Sequence, residues 1–170
     1  MALLLGLDPG SIKLGWGIID STGGRIKHVA HGTLATKKGQ ALPGRLAFLY
    51  AALNEVFDSY AIDSVGVEKV FTAKNPQSAL VLGQARGMIL LTIGQRKLEL
   101  AEYTPATVKL AVAGNGRSSK EQLALMVSRL MNVSLDEAGP DASDALAIAI
   151  CHAHSLGQKK LLEKLSKASS

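Results

Sequence analysis

Four acidic residues stand where acids are costly, and together they suggest one chemistry. Asp8 ends an apolar run, Leu3 to Leu7, at the turn Asp8-Pro9-Gly10-Ser11. Glu68 interrupts an otherwise apolar stretch from Ser64 to Val70, and Asp141 and Asp144 open a segment rich in Ala, Leu and Ile. Each has an ordinary explanation: a turn residue for Asp8, a solvated strand end for Glu68, a helix N-cap for Asp141. The pair Asp141 and Asp144 is harder to dismiss, because a spacing of three puts both carboxylates on one helix face with no cation between them. In α/β sheets ligands gather at the carboxyl ends of strands, where Asp8 and Glu68 both fall. Four carboxylates brought together cannot all ionise at neutral pH without compensating cations. Their hard oxygens select Mg²⁺ or Mn²⁺. In a basic protein such a pocket fits metal-assisted phosphodiester hydrolysis, with Lys and Arg holding the backbone.

The elements that must position these acids follow from the apolar pattern. Leu3 to Leu7 reads as a strand buried on both faces, and Lys13 to Asp20 and Arg25 to Thr36 as two more, joined at Gly23-Gly24. Leu46, Leu49, Tyr50, Leu53, Val56, Phe57 and Tyr60 then recur at helical steps. Strands are expected at Ser64 to Val70 and Leu98 to Tyr103. A long helix is capped by Asn75 and Pro76, a short one by Thr104 and Pro105, and another opens with the Ser119/Gln122 capping box. Asp141 begins the last helix. The order β-β-β-α-β-α-β-α-α-α describes one α/β domain with a five-stranded mixed sheet, an antiparallel meander of three strands followed by parallel strands, flanked by helices. Residues 1–157 form this domain, and 158–170, with Lys159, Lys160, Lys164 and Lys167, are expected to be a flexible basic tail. Gly83, Gly87 and Gly94 each weaken the long helix, so a close backbone approach is expected to compensate.

Composition sets limits. The chain has 170 residues, net charge +5 and pI about 9.4, which fits an anionic partner such as a phosphate backbone. An aromatic content of 4% excludes a binder that works by stacking bases on many exposed rings. The single cysteine, Cys151, excludes an internal disulfide framework and reads as a small core residue. No secretory h-region or membrane-length apolar run is present, so a cytoplasmic protein with no membrane partner is expected. His152 and His154, two apart, make a poor metal pair and read as mostly exposed.

Several motifs then coincide. LGLDPGS (5–11), GWG (15–17), VEKVFTAKNPQSAL (67–80), LGQARG (82–87), TPATVK (104–109), AGNGRSSKEQ (113–122) and PDASDALAIAICHAH (140–154) together resemble the RuvC family of Holliday-junction resolvases, of RNase H-like fold. The resemblance implies a Mg²⁺-dependent endodeoxyribonuclease, with two ions per site and Mn²⁺ able to substitute. It would act as a homodimer, nicking four-way junction DNA symmetrically in recombination and repair and leaving 5′-phosphates. Its catalytic and metal-binding acids fall on Asp8, Glu68, Asp141 and Asp144, and its DNA contacts on Phe71, Lys74, Arg86, Lys109 and Lys120. RuvA and RuvB would be partners, and the LGQARG helix the dimer surface. Leu14 replaces a common Thr, Lys69 follows Glu68 where a neutral or acidic side chain is usual, and Ser143 looks harmless. Two rivals remain: a non-catalytic junction-binding scaffold, and an actin-like phosphate-loop ATPase fragment suggested by Asp8-Pro9-Gly10-Ser11. One such domain is too short for the latter.

Overall fold

The computed structural model describes residues 2–69, 75–135 and 139–168. Strands β1 (Leu3–Asp8), β2 (Lys13–Thr22) and β3 (Arg25–Ala35) form the antiparallel meander, and β4 (Ser64–Glu68) and β5 (Glu99–Tyr103) add in parallel, giving the order β3-β2-β1-β4-β5. Helices α1 (Leu42–Ser59) and α2 (Pro76–Gln95) cover one face, while α3 (Pro105–Ala113), α4 (Lys120–Met131) and α5 (Gly139–Ala168) cover the other. The predicted caps are present: the Asn75 side chain accepts from Ser78 N–H, Thr104 from Thr107 N–H, and Ser119 and Gln122 form the capping box.

Strand periodicity sorts the sheet into two cores. Leu3, Leu5, Leu7, Val65 and Val67 pack against α1 and α2 with Leu49, Leu53, Ile89 and Ile93. The alternate positions, Leu4, Gly6 and Asp8 on β1 and Ser64, Gly66 and Glu68 on β4, therefore face α5. Both acids sit at the carboxyl ends of adjacent parallel strands, two residues beyond a glycine.

Those glycines let α5 lie directly on the sheet. Gly6 is in register with Gly17 on one side and Gly66 on the other, and Asp8 with Gly15. A β-carbon at Gly6 would collide with the Ala145 carbonyl and lie 2.5 Å from Ala149 N, and one at Gly15 would collide with the Asp141 backbone. At Gly17 it would meet Leu146 at 2.8 Å, and at Gly66 it would meet His152 at 3.0 Å.

Among the described residues nothing lies within 4 Å of a β-carbon at Gly83, Gly87 or Gly94, so the close approach expected there is not supplied by one chain. One expectation changes. His152 is buried rather than exposed, at 1% of its surface. From residue 158 the chain continues α5 as helix to Ala168, with exposed side chains over 158–167. The α-helical spacing persists there, and Gln158, Lys160 and Lys164 share a surface hollow with Gly23, Gly24 and Ile26. Leu14 is fully buried on the α1/α2 side, so the hydroxyl it replaces would not face the acids.

Gly6→Ala should force α5 off the sheet. Overpacking against backbone costs about 1–3 kcal/mol or more, so its thermal midpoint should fall by at least about 3 °C. Gly157→Ala, in open space on exposed helix, should leave the midpoint unchanged or raise it. Equal midpoints for wild type and Gly6→Ala in a melting experiment would refute the close contact.

Candidate active site

At the carboxyl edge of the sheet a cleft of about 210 Å³ is lined by Asp8, Glu68, Asp144, Lys109 and Lys120, with Pro105, Val108 and Leu123 as its apolar wall. Asp8 and Glu68 arrive on β1 and β4. Asp141 and Asp144 lie in the first turns of α5, where negative charge is favoured by the helix dipole. Because α5 begins at Gly139, Asp141 is inside the first turn rather than an N-cap. Asp141 stands outside the cleft lining, its backbone packed on Gly15, but its charge still acts on Asp8.

Two helix starts deliver the cations. The Thr104 cap and Pro105 begin α3, which places Lys109 one turn in; α3 ends on left-handed Gly114, with φ 71°. The capping box makes Lys120 the first residue of α4. A cation at a helix N-terminus is unfavourable, and Lys120 offsets this by an ion pair to Asp144, Nζ to Oδ2 3.2 Å. Lys120 remains 73% exposed, so this pair is screened and easily exchanged.

The electrostatics are dominated by excess negative charge. Burial, then the charges of Glu68, Asp144 and Asp141, push the Asp8 carboxyl up to about 8, against a smaller opposing effect of Lys120. Burial and Asp144 likewise raise Glu68, while Lys120 and Lys109 lower it. Asp144 and, less strongly, Asp8 and Glu68 hold the Lys120 ammonium above its usual range. Among the described residues no group of three His, Cys, Asp or Glu side chains forms a ready-made ligand set. The donors nevertheless fit a hard divalent cation: they are carboxylate oxygens, and Asp8 stays protonated until more positive charge than Lys120 supplies is near.

The other expected contacts divide. Lys109 and Lys120 line the cleft. Arg86, on α2, is ion-paired to Glu102 of β5. Phe71 and Lys74 lie outside the described residues. Lys69 extends the β4 edge, its N–H donating to Tyr103 O at 2.7 Å. Cys151 is a core residue, its thiol pushed up to about 11 by burial.

His152 joins β4 and β5 below the acids. Its Nε2 lies 2.7 Å from Ser64 Oγ and its Nδ1 2.8 Å from Tyr103 Oη. The Ser64 hydroxyl donates to Glu99 O at 3.3 Å, so Nε2–H donates to Ser64 and Nδ1 accepts from Tyr103. Burial lowers the imidazole to about 4, which keeps it neutral as this chain of bonds requires. Tyr103 is the register partner of Glu68, so the network braces the strand pair that carries that acid. The sequence signal for the site's scaffold is a glycine two residues before each strand acid, Gly6-Leu7-Asp8 and Gly66-Val67-Glu68.

The family model described as crossover junction endodeoxyribonuclease RuvC matches residues 4–152. The chain belongs to the RuvC family. Crossover junction endodeoxyribonuclease RuvC of Geobacter sp. (strain M21) is 47% identical over 161 residues, covering 95% of this chain and 98% of that protein. The RuvC of Azoarcus sp. (strain BH72) is 50% identical over 151 residues, covering 89% and 81%. Among solved structures, Thermus thermophilus RuvC in complex with a Holliday-junction substrate superposes with a TM-score of 0.83 at 28% identity, covering 90% of this chain and 93% of that one. The yeast mitochondrial resolvase Ydc2, at 16% identity and a TM-score of 0.72, shares the fold. The RuvC architecture, RNase H-like, is thus the α/β fold expected from the sequence. Among the described residues no helix is long and apolar enough to cross a membrane.

The raised Asp8 sets a pH dependence for the metal-free protein. Between the ordinary 3.8 of an unfolded Asp and about 8, the folded state holds a proton that the unfolded chain has released. Stability from this group is complete below that window and is lost as pH rises through it. In EDTA the melting temperature should fall from pH 5 to pH 8, and Asp8→Asn should flatten the fall and melt at least about 3 °C higher at pH 8. A wild-type midpoint no lower at pH 8 than that of Asp8→Asn would show that the carboxyl is unperturbed.

Proposed function

We propose that this RuvC-family protein resolves four-way DNA junctions by divalent-metal-dependent hydrolysis of two opposed phosphodiester bonds, in recombination and repair. The observation that carries this reading is the cleft itself: Asp8, Glu68 and Asp144 face Lys109 and Lys120 across a space that a phosphodiester fits, with Asp141 adding its charge from behind Asp8. Asp8, Glu68, Asp141 and Asp144 would hold Mg²⁺, with two ions per site and Mn²⁺ able to replace it. The bound metal supplies a water nucleophile at neutral pH and stabilises charge on the leaving oxygen. Water gives up a proton and adds to phosphorus while the bond to O3′ breaks, so the phosphate stays on O5′ of the downstream nucleotide and the leaving O3′ takes up a proton. Lys109 and Lys120 hold the non-bridging oxygens, and Lys120 exchanges Asp144 for phosphate as it does so. Phe71 and Lys74 would contact the junction near the site. Arg86 would join them by exchanging Glu102 for a phosphate.

Symmetric cutting needs two sites, and α2 supports pairing of two copies. Gly83 and Gly87 open onto free space, and Leu80 and Leu91 on the same helix are exposed. A partner helix would supply the close approach that the glycines lack within one chain. RuvA and RuvB are the proposed assembly partners and the cytoplasm the proposed compartment.

A synthetic four-way junction with Mg²⁺ and no other protein should yield paired symmetric nicks with ligatable 5′-phosphate ends. Asp8→Asn should lower the cleavage rate on the order of 10³-fold or more while junction binding persists. Loss of binding together with cleavage would refute the metal-holding role. Binding without cleavage by the wild type across a Mg²⁺ and Mn²⁺ titration would instead establish the scaffold reading. ATP hydrolysis without DNA would revive the ATPase.

A further inference from the structure

The catalytic edge carries a second group of cations that the acids do not use. Lys13 is the first residue of β2, two positions beyond Gly15, the register partner of Asp8, and so about 7 Å further toward the same edge. The Asp8-Pro9-Gly10 turn is pressed against it: a β-carbon on Gly10 would collide with the Lys13 carbonyl. Lys13 pairs with Ala35 at the end of β3, and Thr36 seals the edge, its N–H and hydroxyl both donating to Ile12 O at 2.9 and 3.1 Å. Lys37 and Lys38 follow at once, in a turn closed by Gln40 N–H to Lys37 O at 3.3 Å. Gly39 supplies the positive φ of 78° that such a turn requires.

All three lysines are exposed, and among the described residues none of them makes an ion pair. They occupy the β2/β3 side of Asp8, whereas Lys109 and Lys120 enter from the helical layer beside Glu68. Three cations on neighbouring stretches of hydrogen-bonded backbone thus stand without an acidic partner among the described residues. A run of phosphates would supply the counter-charge, and release counterions as it binds. β3 lies two strands from β1, about 10 Å away, a distance spanned by about one to two phosphate steps along one strand.

Resting on the junction-cleaving reading, we propose that Lys13, Lys37 and Lys38 form a second phosphate anchor, gripping the DNA backbone about one to two nucleotides from the scissile bond on the β2/β3 side. The anchor shares a rigid edge with Asp8, so it fixes where along the strand the cleft falls as well as adding affinity.

The test measures junction affinity by fluorescence anisotropy against salt, in EDTA, for the wild type, Lys13→Gln/Lys37→Gln/Lys38→Gln, and the Arg triple at the same positions. Lys159→Gln/Lys160→Gln/Lys164→Gln removes equal charge from the far end of α5 as a control. The slope of log affinity on log salt should shrink by two to three units, about 0.9 for each phosphate no longer neutralised, in the first Gln triple only, and the Arg triple should restore it. In cleavage assays with Mg²⁺ the same Gln triple should spread cutting over neighbouring phosphates. An unchanged slope, or an equal loss in the far-end control, overturns the anchor while leaving junction cleavage by the wild type intact. Failure of the wild type to prefer a junction over duplex overturns the parent reading and the anchor with it.

Discussion

The structure depends on how closely α5 can lie on the sheet. Gly17, Gly6 and Gly66 are register neighbours across three adjacent strands, and Gly15 continues the trough beside Asp8. A side chain at any of these positions would meet α5 backbone or a buried α5 side chain. The trough lets the first turns of α5 come down level with the carboxyl ends of β1 and β4. Asp144 from the helix and Asp8 and Glu68 from the strands, drawn from distant parts of the chain, thereby line one small cleft, with Asp141 close enough for its charge to act on Asp8. Without the glycines the helix would ride higher by a side-chain layer, and Asp141 and Asp144 would face solvent rather than Asp8.

That closeness has an electrostatic cost that the protein leaves uncompensated. Asp8 is half-buried with three carboxylates acting on it, and Lys120 is an exposed, exchangeable partner rather than a locked one. A site built for stability would have paired Asp8 with a buried arginine. Here the excess negative charge is left without such a partner, a destabilising arrangement of the kind found at binding and catalytic sites. Further along the same helix the opposite holds. His152, Ser64 and Tyr103 form a chain of hydrogen bonds that ends on Glu99 O and stay neutral, bracing the strands whose upper ends carry the acids.

Much of this was legible in the sequence. Element order, sheet composition and the caps at Asn75, Thr104 and Ser119 follow from local chemistry, which tertiary packing here reinforces. The four acids were visible as charges in apolar surroundings. His152 was not legible, because Ala145 to Ile150 is apolar all round and names no face to pack on the sheet. Once Asp141 and Asp144 are known to face it, helical spacing carries His152 to the same side. The α2 glycines called for a close approach that the described residues of one chain do not supply. The helix beyond residue 158 has good local propensity and exposed side chains, and sequence pattern alone does not separate such a segment from a fraying one.

Register ties fold and chemistry into one requirement. In β1, Leu5 and Leu7 fill one core while Gly6 and Asp8 serve α5, and β4 repeats the arrangement with Val65, Val67, Gly66 and Glu68. A slip of one residue in β1 would drive Leu5 and Leu7 into the α5 backbone and bury Asp8 among the leucines of α1. The collision and the buried charge each cost several kcal/mol, so a sheet assembled in the wrong register has no route to a folded state. The same glycine-then-acid alternation that admits α5 therefore also proofreads the strand that carries the acid. Correct packing of the core is sufficient to place the carboxylates, and no separate device is needed to aim them.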